Sequence, residues 1–442
     1  MKSAQGSSAP PVLTDTSLLS RDPGMRTHAN YLFALLFLLY MFDYIDRTIV
    51  TSLFPFLKAD LGLNDTQSGS LVSAVYWAIV VFTFPISILI DRWSRKRSIG
   101  LMVILWSLAT GVAAFIKTFP QLFIARAAVG VGEAGYAPGG NALISAVYPQ
   151  GKRSRMMGLW NASIPLGIAL GTALGGIIAT RWGWKHAFGI VAIPGLLIGI
   201  LFFFTARDYK TVALVKSINE GKGKQKMHWR DIMREFLRTP SLLLTYIGFA
   251  GNTFVSTALI TWLPSFFNRT QGIPMNQAGL KTSLVLGLAV IGAPVGGILA
   301  DAWMKRRVNA RLLFGGITSL VSAALLFVSF ALLQGVPQYV VLLLAGLTAV
   351  AYVSAASAVT QDVVHPGLWA ISFSICVIVQ NLLGSSLGPI YVGALSDRFG
   401  LATAMLTVPA FSALGGILFL VGALFYGRDL AKVEKVPVEE EK

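Results

Sequence analysis

Long apolar runs dominate this chain, and no other feature restricts its fold so strongly. Runs at 31–54, 68–90, 98–116, 119–148, 156–180, 187–206, 241–267, 282–300, 312–333, 338–361, 370–396 and 401–426 each approach or exceed the roughly 20 residues a helix needs to cross a bilayer. Main-chain polar groups in lipid have to be satisfied within their own segment, so runs this long and uniform predict helices and not the strands of a closed barrel. Only 13% of the 442 residues are charged, against roughly a quarter in soluble domains, which excludes a soluble fold. The expected fold class is an all-α membrane protein with twelve transmembrane helices in two pseudo-symmetric six-helix bundles.

The net charge of +16 would suit nucleic acid if it covered a soluble face. Laid on the twelve-span scheme, however, most of the 36 Lys and Arg residues fall in the tails and loops on the side of the termini. That asymmetry is the positive-inside signature and places both termini in the cytoplasm, with the inner (plasma) membrane as the location if the source is bacterial. No nucleic-acid partner is expected. Residues 1–30, rich in Ser, Pro and Thr, show no short apolar core followed by a small-residue cleavage site, and read as a disordered cytoplasmic tail. The remaining units are a six-helix bundle at 31–206, a cytoplasmic linker at 207–240 whose end from Met227 to Leu237 has amphipathic character, a second bundle at 241–427, and a C-tail at 428–442. Cys376 is the only cysteine, which excludes an intramolecular disulfide and thiolate metal chemistry. The four histidines are scattered over separate loops and tails, so no catalytic residue, cofactor or metal site is expected, and the chain is not read as an enzyme.

The two halves echo one another. Ser87-Ile-Leu-Ile-Asp91-Arg92-Trp93-Ser94-Arg95-Lys96-Arg97 recurs 210 residues later as Gly297-Ile-Leu-Ala-Asp301-Ala-Trp303-Met-Lys305-Arg306-Arg307, each copy ending the second span of its half. Gly171 and Gly176 with Arg181-Trp182-Gly183 recur at an offset of 217 as Gly388 and Gly393 with Arg398-Phe399-Gly400. Internal repeats of this kind mark carriers in which one bundle rocks against the other around a midplane site. At the end of span two, Asp91, Arg92, Arg95 and Lys96, with Asp301 in the second copy, read as a gate. A carboxylate there pairs with nearby arginines and with the N-terminus of a helix from the other half, holding the inner face shut.

Five charged residues lie well inside the spans, all in the first half: Asp43, Asp46 and Arg47 on span one, Arg126 and Glu133 on span four. A charge at the bilayer centre costs roughly 2.5 kcal/mol or more, so such groups pair, face a cavity and serve function. Positions 43, 46 and 47 share one helix face, as do 126 and 133 with Gly130 between them, where a partner helix or substrate can approach. Three carboxylates and two arginines leave one excess negative charge, which one proton balances. A carboxyl that exchanges its arginine partner between two conformations must also change its proton affinity, which makes Asp46 or Glu133 the candidate proton carrier. Gly130-Val-Gly132-Glu-Ala-Gly135 fits the dinucleotide pattern letter for letter, but it lies inside an apolar span with no strand before it and is read as a small-residue packing seam. The second half offers neutral polar groups, Asn252, Thr253, Ser256, Thr257, Thr261, Gln361, Gln380 and Asn381, with the aromatics Phe254, Trp262 and Phe266. A cavity charged on one side and largely apolar on the other suits an amphipathic molecule. Candidate substrate-binding residues are Tyr136, Asn161, Asn252, Thr253, Trp262, Gln380 and Asn381.

The stretch from Ser87 to Arg97 resembles the signature of the major facilitator superfamily after its second span, with Ser87 and Ser94 standing where glycines are usual. Asp46-Arg47, then Arg126-Ala-Ala-Val-Gly130-Val-Gly132-Glu133-Ala134 with Pro138, then Asn161 and Pro165, are most similar to the spinster lipid transporters. That resemblance implies movement of lysophospholipids or sphingoid lipids, with Asp46, Arg47, Arg126 and Glu133 in proton coupling. Organic-anion symporters of the same superfamily show a similar Asp-Arg pair and Arg to Glu-Ala spacing, so a proton-linked carrier of small organic anions or drugs is the alternative. The expected partners are a lipid-like small molecule, protons and membrane lipids, with the protein a monomer.

Overall fold

A computed structural model describes residues 23–92, 95–148, 150–206, 235–365 and 368–433. The N-tail to residue 22, the central linker at 207–234 with most of its amphipathic stretch, and the C-tail beyond 433 lie outside the described residues. Among those described, the secondary structure is helical throughout. Ten helical segments are long and apolar enough to cross a membrane on length and hydropathy. Two further helices complete the twelve, and both carry buried charge. Span one, Pro23–Ile49, holds Asp43, Asp46 and Arg47. Span four holds Arg126 and Glu133 and is interrupted at Ala134–Gly135 between Phe119–Glu133 and Tyr136–Val147.

The other spans of the first half are Asp65–Arg92, Arg95–Ala113, Gln150–Asn161 continued by Ser163–Trp182, and Trp184–Thr205. The second half runs through Pro240–Gln271 (span seven), Met275–Gly287 with Ala289–Met304 (eight), Ala310–Ala331 (nine), Gly335–Thr348 with Val353–Asp362 (ten), Trp369–Val379 through a π-turn at Gln380–Ser385 to Leu387–Phe399 (eleven), and Leu401–Thr407 with Pro409–Lys432 (twelve). Gly183 and Gly400, at φ of 87° and 82°, turn the chain from span five to six and from span eleven to twelve, a left-handed conformation that favours glycine.

The repeat seen in the sequence is a repeat of contacts. A Cβ on Gly69 of span two would strike the carbonyl of Pro389 on span eleven, and one on Gly279 of span eight would strike that of Thr172 on span five. The two sites are related by the offsets 210 and 217 found in the sequence. Gly393 against Asp65 and Gly176 against Met275 form a second such pair. These glycines let spans two and eleven, and spans five and eight, approach backbone to backbone, joining the halves along two seams.

Both seams lie toward the end of the bundle remote from the chain termini, here the distal end. There the halves share one apolar core, in which Ile49, Leu53, Phe54, Trp184 and Phe188 meet Trp262, Phe266, Met275 and Met405. At the terminal end each half keeps its own core, around Tyr40, Trp106, Tyr136 and Trp160 in the first and around Phe249, Tyr352 and Phe419 in the second. The space between the halves therefore opens toward the termini.

Candidate functional site

Span one brings its charges into the first bundle at the level where the halves part. Along span two, Ser73 Oγ donates across the halves to the carbonyl of Ser386. One turn further toward the terminal end, Tyr76 lies with its ring 6.0 Å from the Arg47 guanidinium. Arg47 also stacks at 4.7 Å over Tyr44 and holds two carboxylates, Asp43 one turn back on its own helix at 2.9 Å and Glu133 on span four at 2.8 Å. Both carboxylates are fully buried, whereas the Arg47 side chain keeps 13% of its surface open. One cation thus ties span one to span four and stays partly open, beside Tyr76 of span two.

Asp46 and Arg126 form a second group, deeper in the bundle. The Asp46 carboxylate accepts a 2.6 Å hydrogen bond from Thr110 on span three. Arg126 donates to the main-chain carbonyls of Asp46 and Arg47, at 3.0 and 3.2 Å. Those carbonyls belong to the last turn of the span-one α-helix, whose ladder tightens into a 3-10 turn at Val50–Leu53. Carbonyls near a helix C-terminus lack helical partners and carry partial negative charge, and a guanidinium satisfies both deficits. Among the described residues, Asp43 Oδ1, Asp46 Oδ1, Glu133 Oε1 and Arg126 Nε make no hydrogen bond. The cluster keeps spare donor and acceptor capacity inside a buried site, where each unmade bond is expensive.

The five charges predicted to act together are together, though Asp46 turns toward span three instead of joining Arg47. Gly130 meets the carbonyl of Val75, so the bare face between Arg126 and Glu133 receives span two. Tyr136 is buried, donates to the carbonyl of Leu36 and packs against Tyr40, Trp106 and Trp160. Asn252 is buried between spans seven and twelve, donating to the Gly248 carbonyl and accepting from Ser412. Trp262 is fully buried in the distal shared core, its Nε1 donating to the Pro389 carbonyl and its ring 5.2 Å from Phe54. Thr253, Gln380 and Asn381 are half-buried and Asn161 is exposed; Thr253 donates to the Phe249 carbonyl and Gln380 lies 3.1 Å from Cys376 Sγ.

Of the residues read as a gate, the side chains of Asp91, Arg92 and Arg95 lie outside the described residues. Lys96 reaches the carbonyl of Phe204, and Asp301 pairs with Arg311, which also holds Asp362 at 2.5 Å. The links described for Lys96 and Asp301 stay within one half. A cross-half charge site that the sequence reading did not single out stands at the distal end. The carboxylate of Asp397, ending span eleven, accepts from the main-chain N–H groups of Asp65 and Thr66 and from the Thr66 hydroxyl. The Asp65 carboxylate takes both terminal nitrogens of Arg269 at 2.7 Å, Lys58 at 2.6 Å, and a bond from Ser396. Thr110, Tyr44 and Tyr76 were likewise missed, since one sequence gives no sign of which span faces which.

Residues 36–389 match the Major Facilitator Superfamily, about four-fifths of the chain. The chain belongs to the major facilitator superfamily. Within it, the chain is 26% identical to protein spinster homolog 1 of Homo sapiens, covering 96% of this chain and 86% of that protein. It is also 27% identical to the hexuronate transporter of Bacillus subtilis, over 83% and 87% of the two chains. Its fold matches a bacterial homolog of the human lysosomal transporter spinster, solved in an inward-facing and unoccupied conformation, with a TM-score of 0.79 at 22% identity over 91% of this chain and 98% of that one. The superfamily membership, the spinster likeness and the helical membrane fold make this an integral membrane transporter.

Proposed function

We propose that the protein is a secondary active transporter that moves an amphipathic, lipid-like substrate, a lysophospholipid or sphingoid lipid, in exchange of access driven by protons. The observation that carries the reading is the Asp43–Arg47–Glu133 group, buried in the first bundle yet keeping 13% of the Arg47 side chain open beside Tyr76, one turn from the cross-half bond of Ser73. With both termini in the cytoplasm, the space between the halves faces inward. Arg47 cannot satisfy two carboxylates equally in every conformation, and the carboxylate it releases takes up a proton to avoid a stranded buried charge. Asp46 is the second candidate carrier, held by Thr110 and adjacent to the carbonyls that Arg126 binds. Similarity to the spinster proteins and the half-buried, uncharged Thr253, Gln380 and Asn381 of the second half favour an amphipathic substrate.

A second reading rests on the relatives described as a hexuronate transporter and a probable sulfoacetate transporter, both 25–27% identical, and on the partly open Arg47 as a cation for an organic anion. Purified protein in liposomes with an imposed pH gradient separates the two. Labelled lysolipid is expected to accumulate and a labelled hexuronate is not; hexuronate uptake without lipid movement would replace the first reading with the second.

A further inference from the structure

We infer that the distal Asp65–Arg269–Asp397 site is a one-sided latch in which Arg269 closes the halves and Lys58 allows them to part. The inference rests on alternating access, but its test reads closure by distance and needs no substrate.

Asp397 stands at the C-terminal end of span eleven and accepts from the first main-chain N–H groups of span two, Asp65 and Thr66, at 2.8 Å each. A carboxylate at a helix N-terminus is favourably placed, since those donors have no helical partner and carry the positive end of the dipole. Here the cap crosses from one half to the other. Asp65, the residue so capped, sends its carboxylate to Arg269 at the end of span seven in a two-pronged contact. Such bidentate charge-assisted pairs are the strong ones, and this one also crosses the halves.

Among the described residues, the matching seam carries no such device. By the offsets relating Gly69 to Gly279 and Thr172 to Pro389, Asp65 corresponds to Met275 and Asp397 to Thr180. Thr180 donates to the carbonyl of Gly176, four residues earlier in its own helix. The seam between spans five and eight is thus closed by glycine packing, and the seam between two and eleven by glycine packing plus charge.

Two cations share Asp65, and they belong to different halves. Arg269 leaves with the second half when the distal end opens. Lys58, 2.6 Å from Asp65 and on the same half, stays. Without it, the whole attraction of the Asp65 carboxylate, 4% exposed here, would fall on Arg269 and be lost on parting. Lys58 therefore lowers the cost of parting, while Arg269 and Asp397 raise it. Removing either of two cations from one carboxylate then has opposite consequences, which a static ion cluster would not show.

Spin labels at Lys117→Cys and Gln334→Cys, exposed positions on distal loops of opposite halves, report the gap by pulsed dipolar spectroscopy in a Cys376→Ser background. Arg269→Gln and Asp397→Asn are expected to raise the long-distance population at least about tenfold, the scale of losing one charge-assisted hydrogen bond. Lys58→Gln is expected to reduce that population below the parent. The latch is overturned if Arg269→Gln and Asp397→Asn leave the distances unchanged in folded protein. The role of Lys58 is overturned if Lys58→Gln lengthens them as Arg269→Gln does.

Discussion

The two halves of this protein have the same helix contacts and different chemistry at the same places. Gly167 packs on Met41 and Tyr44 as Gly384 packs on Ala250 and Thr253, which matches Asp43 to Asn252 and Arg47 to Ser256. Gly130 meets the carbonyl of Val75 as Gly346 meets that of Val285, which matches Arg126 to Leu342 and Glu133 to Ala349. Tyr136 lies 5.4 Å from Tyr40, and its counterpart Tyr352 lies 5.1 Å from Phe249. Where the first half holds Arg47 between two buried carboxylates, the second has Ser256 donating to the carbonyl of Asn252. The fold therefore does not need the charges. A buried ion group is weak evidence for stability in general, and its confinement to one of two equivalent bundles points to function.

The largest expected contrast comes from the matched pair Arg47 and Ser256. Arg47→Ala leaves Asp43 and Glu133 buried without their cation and should lower stability by about 3–5 kcal/mol, while Ser256→Ala should lose no more than about 1 kcal/mol, both read as thermal unfolding in detergent. Converting Asp43→Asn, Arg47→Gln and Glu133→Gln together makes the first half resemble the second, and should recover most of that loss while leaving pH-driven uptake abolished. Recovery of neither stability nor folding would mean that the ion group is structural.

Glycine substitutions should abolish the contrast. A Cβ at Gly130 or Gly346 would sit 2.4 or 2.2 Å from a main-chain carbonyl, so Gly130→Ala and Gly346→Ala should each destabilise by about 1–3 kcal/mol, and by similar amounts. A large difference between them would break the equivalence of the halves. The smallest effect is expected at Thr110→Val, which removes the donor to Asp46 and should cost about 1 kcal/mol together with a shift in the pH profile of uptake; a change in stability alone would leave Thr110 a packing residue.

The apolar runs gave all twelve spans, and the two whose helices fall short on length and hydropathy are those that charge and a helix break interrupt, at Asp43–Arg47 and at Ala134–Gly135. The offsets of the repeat were legible because glycines are needed wherever two backbones touch, and so recur with the contacts themselves. The buried charges were legible because ionised groups in an apolar run are costly. Their partners were not. Asp46 faces Thr110, 64 residues away, and Asp65 meets Asp397 and Arg269 across the halves, separations that a single chain does not encode as local pattern. The Asp-capped helix N-terminus anticipated for the end of span two has its described counterpart at the opposite end of the molecule, at Asp397, because the repeat places carboxylates near several span ends and only packing decides which one meets a helix from the other half.

The most direct measurement compares pH-driven accumulation with substrate exchange at equal pH, in liposomes containing wild-type, Asp46→Asn or Glu133→Gln protein. A carboxyl that carries the coupling proton should, when neutralised, leave exchange running and abolish accumulation against the gradient, in at least one of the two variants. If both variants accumulate substrate as the wild type does, the buried charges of the first bundle do not couple protons to transport.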